Sequence, residues 1–165
     1  MSRHVQTIVL AAVAGDVAIT LYLIVQRALS DHLSLTACLL QLMQWDASNA
    51  YGSTAFAGGW PMAGVGQLMD LVVSLGWAAL FTLLYVLVAA LRRHTWAWGL
   101  GYGVFVMVVM LYVLVPAGHA TRMQDTVSNV VRVLVAHTVF FGLPIALVVA
   151  WSENLRSSTL APRTR

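Results

Sequence analysis

Four apolar stretches, about Val5 to Val25, Met62 to Leu91, Trp96 to Val115 and Val130 to Trp151, decide what this chain can fold into. Each is near or above the ~20 residues an α-helix needs to cross ~30 Å of hydrocarbon. Backbone in lipid must pair its N–H and C=O groups within its own segment, so each stretch is expected to be one helix. Composition agrees: 60% of residues are apolar and 9% charged, against roughly 25% charged in a soluble domain. No connection is long enough to hold a second, soluble domain. The expected fold is all-α, a four-transmembrane-helix bundle with helices over about 5–27, 62–91, 96–115 and 128–151, forming a single integral membrane domain over 1–151.

The segment between the first two helices is different. Leu35, Leu39, Leu42 and Met43 follow helical spacing, with Gln41, Gln44, Asp46 and Ser48 interspersed, and Ser30 or Asp31 stands where a cap belongs. Too short and too polar to cross, it reads as an additional interfacial amphipathic helix over about 31–48. Tyr51 to Gly59 is rich in small residues and breaks the helix; Pro61 then suits the first turn of the next one. Gly142 with Pro144 should bend the last helix. From Ser152 the chain turns polar, and 152–165 is expected to be a disordered cytoplasmic tail.

All nine basic residues are arginine. With both termini inside, Arg3, Arg92, Arg93, Arg156, Arg163 and Arg165 are cytoplasmic, and Arg27, Arg122 and Arg132 lie opposite, as the positive-inside bias requires. Spread over segment ends, these charges make no nucleic-acid footprint. Cys38, the single cysteine, has no intramolecular disulfide partner and suits no all-cysteine metal site. Ala12-Val13-Ala14 has the small-x-small form of a signal cleavage site, but the apolar run resumes after Asp16, so an uncleaved first helix is expected. Most tryptophans fall near segment ends, where indole rings anchor at an interface; Trp77 lies inside a span.

Polar residues inside the apolar stretches are the candidates for function. Asp16 sits beside Ala11, Ala14, Gly15 and Ala18, small residues that let helices approach closely. Gln67, Asp70 and Ser74 share one face of the second helix, and Arg132 and His137 lie on the fourth. At ~1.5 Å rise per residue, Asp70, His137 and Asp16 fall about 12, 14 and 16 Å from their helix ends, a similar depth. Asp16, Gln67, Asp70, Ser74, Arg132 and His137 thus form a candidate intramembrane polar cluster, within which Arg132 could reach either carboxylate. Asp46 is read as an interfacial or capping group.

The first reading of this cluster is structural: a small accessory membrane protein whose buried polar residues set helix register. The alternative is a transporter or proton- or solute-conducting protein using Asp16, Asp70 and His137. No nucleotide fingerprint, histidine pair at metal-ligand spacing or nucleophile motif is seen, so no enzyme, cofactor or metal is expected. The lipid bilayer is the expected partner, with a second membrane protein or another copy of the chain as further candidates and no nucleic acid.

The series Gln44-Trp45-Asp46-Ala47-Ser48, then Gly52-Ser53-Thr54-Ala55-Phe56-Ala57-Gly58-Gly59, then a helix ending in Arg92-Arg93, with Gly101-Tyr102-Gly103, Pro116 and HTVFFGLP over 137–144, resembles a group of uncharacterised four-helix bacterial inner-membrane proteins. The resemblance spans most of the chain. It implies the four-helix fold and a bacterial inner-membrane location, and no activity. Members of that group generally carry an apolar residue at the position of Asp46 and a histidine near that of Asp70.

Overall fold

A computed structural model describes residues 3–120 and 126–160, the last five as backbone only. Five helices account for nearly all of it: α1 (Arg3–Asp31), α2 (Leu35–Tyr51), α3 (Gly59–Leu87), α4 (Thr95–Ala117) and α5 (127–160). No strand occurs among the described residues. Four of the helices, all but α2, are long and apolar enough to cross a membrane. Arg122, Arg163 and Arg165 lie outside the described residues, and so do the side chain of Arg156 and the last part of the expected tail.

Helix ends differ from the sequence expectation for local reasons. α1 continues to Asp31, where Arg27 Nε donates to the Asp31 carboxylate at 3.3 Å one turn away. α2 therefore starts later: Ser34, not Ser30 or Asp31, is its cap, the Ser34 hydroxyl accepting from the Ala37 N–H at 3.2 Å. The reversal between α1 and α2 passes through His32, at φ 53°. α3 stops at Leu87 rather than near 91, since Val88 is extended and a single helical turn, Ala89–Arg93, follows. Arg92 folds back and donates to the carbonyls of Tyr85 and Val86, at 3.3 and 2.6 Å, satisfying acceptors left over at the helix end. α5 remains helical through Leu160, where an irregular tail was expected from Ser152.

Both C-terminal helices contain a wide π turn, Met110–Leu114 in α4 and Ala136–Gly142 in α5. Each is followed by one residue and then a proline, Pro116 or Pro144. Proline has no N–H and its ring crowds the carbonyl four residues back, so the turn before it relaxes toward i→i−5 bonding. Accordingly, Val115 N–H bonds Met110 O and Leu143 N–H bonds Thr138 O.

Helices meet where side chains are smallest. A Cβ added to Gly66 of α3 would collide with the carbonyl oxygen of Met43, so α2 lies backbone to backbone along α3. Gly99 and Gly103 of α4 face Gly142 and the His137 carbonyl of α5 in the same way. In α1, a Cβ on Gly15 would come within 2.9 Å of Ile145, and Tyr22 stacks on Phe140 with ring centroids 4.4 Å apart. Phe81, Tyr85, Tyr102, Ile145 and Val149 fill the core beneath, and Leu91 joins it. His4 Nδ1 lies 3.7 Å from Glu153 Oε1, bringing the start of α1 to the late part of α5.

Candidate functional site

Above that apolar core, aspartates from three helices come within electrostatic reach of one another. Gly66 of α3 rests against the Met43–Ala47 turn of α2; Asp46 belongs to that turn, and Asp70 follows Gly66 by one turn of α3. Asp16 comes from α1 beside Gly15, at the point where the missing side chain draws α1 inward. Gln67 Nε2 donates to Asp16 Oδ2 at 2.9 Å. Asp46 and Asp70 lie within electrostatic reach of Asp16 and of each other. Asp16 is 5% exposed, and its Oδ1 receives no hydrogen bond from any N–H or hydroxyl group.

Asp46 is the residue the sequence reading misplaced. It is not a cap, and it stands half-buried at the cavity, where burial first, and the Asp16 carboxylate second, hold its carboxyl well above the usual range. The usable signal in the sequence was Gly66, four residues before Asp70, which marks a close helix approach at that level of α3. Trp45, assigned to interfacial anchoring, lies at the same site, whereas Trp60, Trp96 and Trp98 are exposed near helix ends and Trp151 is exposed along α5.

A cavity of about 100 Å³ adjoins the carboxyl groups, room enough for several waters. Its polar lining is Thr20, Asp46, Asp70, Ser74 and His137; Trp45, Trp77 and Phe141 form aromatic walls. Both π turns reach it, through Met110 from α4 and through His137 and Phe141 from α5. The His137 ring is anchored by Nδ1, 2.9 Å from the Val133 carbonyl, which leaves Nε2 for other partners when Nδ1 carries the proton. Trp77 packs edge-on against Tyr102 and Phe105, and its carbonyl accepts from the Tyr102 hydroxyl at 2.6 Å.

Of the six residues expected to cluster, Asp16, Gln67, Asp70, Ser74 and His137 are brought to one region. Arg132 is not. Its guanidinium donates to Gln26 Oε1 at 2.9 Å and to Asn129 Oδ1, tying α5 to α1 away from the cavity lining. No lysine or arginine lines the cavity, so the carboxyl groups have no fixed positive partner there. Among the described residues, no three His, Cys, Asp or Glu side chains come together to hold a metal ion. Comparison with protein-family models, with curated proteins and with solved structures gives no match.

Proposed function

We propose that this is a multi-pass integral membrane protein, of a bacterial inner membrane with both termini cytoplasmic, that binds and passes protons at Asp16, Asp46 and Asp70. The carrying observation is that three carboxyl groups lie within electrostatic reach of one another at a cavity that no lysine or arginine lines. A network serving only to hold helices together is expected to pair buried charges, because an unpaired carboxylate in a low-dielectric interior is costly. Arg132, the arginine expected to reach the carboxyl groups, is spent elsewhere, on Gln26 and Asn129. Neutrality at the site therefore depends on an exchangeable proton. The solid core of Phe81, Tyr85, Ile145 and Val149 blocks the path toward the α3–α4 turn, so passage requires a second arrangement of the helices. Inward placement of the termini rests on the arginine distribution, and the bacterial membrane on the sequence resemblance.

A second reading keeps the cluster as a structural clamp in a small accessory protein; the Gln67–Asp16 bond between α1 and α3 favours it. Proteoliposomes loaded with a pH-sensitive dye and energised by a potassium diffusion potential separate the two. Proton uptake should be measurable with the wild type and fall at least tenfold in Asp70→Asn. Unchanged uptake together with a lowered unfolding temperature would leave the clamp as the function.

A further inference from the structure

Proton binding accounts for the carboxyl groups but not for the shape of the space beside them. A site that held protons alone would need a thin file of water, yet this cavity is rounded by aromatic rings. Trp45 of α2 and Trp77 of α3 line it together with Phe141 of α5, and Asp46 and Asp70 border the same space. The fully buried Asp16, with one oxygen bound by Gln67 and the other without an N–H or hydroxyl donor, adds unbalanced acceptor capacity behind Asp70. Indole faces attract cations through their quadrupole, and carboxylates do so through charge. A metal ion fits poorly, because no group of three ligating side chains converges among the described residues. An anion is disfavoured by the acidic border and the lack of any lysine or arginine in the lining.

Resting on the proton-binding reading, we propose that the cavity binds a small monovalent organic cation, a primary ammonium carrying a short apolar group, in competition with the proton on the aspartates. The ammonium lies against Asp46 and Asp70, and its apolar part lies between the tryptophans. Binding is an exchange: one cation enters, and one proton leaves the carboxyl cluster for bulk water, so the charge of the site is unchanged. The titratable groups facing the exchange are Asp16 from α1, Asp46 from α2, Asp70 from α3 and His137 from α5. α4 contributes only Val106 and Met110 to the lining.

The experiment uses the full chain in lipid nanodiscs, titrated with n-butylammonium chloride and, separately, with n-butanol. Tryptophan fluorescence reports binding, and proton release is read in weakly buffered solution. The ammonium should give a saturable change, release about one proton per cation bound, and weaken about tenfold per pH unit on the acid side, as competition with one proton demands. Asp70→Asn should weaken it at least tenfold; Asp46→Asn serves if that variant does not fold. An equal response to butanol, or an ammonium response independent of pH, overturns the proposal. Proton flux that Asp70→Asn abolishes, with no ammonium binding, sinks this inference alone; absence of both sinks the proton-binding reading with it.

Discussion

Asp46 shows how far a single residue's role depends on what packs over it. By itself it is an acid on a polar helix face, but the α2–α3 contact at Gly66 brings it into the carboxyl cluster. Because its folded-state affinity for protons is raised, the protonated form stabilises the fold. That contribution is full below the ordinary carboxylate value of 3.8 and is lost as pH rises toward about 8. The unfolding temperature in detergent should therefore fall by several degrees between pH 5 and 8 and level off above. Asp46→Asn should flatten that slope; a slope identical to wild type would remove Asp46 as its source. Glycines give a second test at this scale. Gly101 and Gly103 lie on the same helix, yet a Cβ on Gly101 meets nothing within 4 Å, while one on Gly103 strikes the His137 carbonyl. Gly103→Ala should cost about 1–3 kcal/mol through overpacking, and Gly101→Ala should be neutral, as read by thermal unfolding.

At the scale of elements, the two π turns place His137, Phe141 and Met110 around the cavity, and each is coupled to a proline just beyond it. Pro144→Ala restores an N–H and removes the ring, so the preceding turn should tighten toward α geometry and rotate His137 relative to Asp70. The expected result is a stable protein with proton uptake reduced severalfold. Uptake equal to wild type would mean that the wide turn is not needed for the site. The proline bend was legible in the sequence. Its form was not, because Gly142 and Pro144 mark where helical hydrogen bonding fails without saying how the freed groups are re-satisfied. The end of α3 is a similar case: apolar character runs on to Leu91, but the chain turns at Val88, and Arg92 closes the turn by reaching back to backbone carbonyls.

For the whole molecule, the interior is polar beside α2, at Asp46, Asp70 and His137, and apolar beneath, at Phe81, Ile145 and Val149. The long helices expose valine and leucine outward, for example Val9, Val13, Val17 and Leu21 along α1, a face that a bilayer would cover. Topology is tested by replacing buried Cys38 with serine, placing a single cysteine at Ser158, and probing with a membrane-impermeant maleimide. Labelling should occur only after the membrane is opened; labelling of intact spheroplasts would reverse the orientation.

What the sequence determined by itself was the set of helices, since the length of an apolar run and the need to pair its backbone depend on nothing outside the run. It also gave Asp16, Asp70 and His137 similar distances from their expected helix ends, since rise per residue is a local property. Only the tertiary structure decided which polar groups touch. Arg132 had the depth to reach the carboxyl groups, but its helix face carries it to Gln26 instead. Asp46 had no depth at all on a helix too short to cross, and it entered the cluster because Gly66 allows α2 to lie directly on the backbone of α3. Such contacts join residues distant in sequence through close approach of backbones, which no periodicity along one helix encodes.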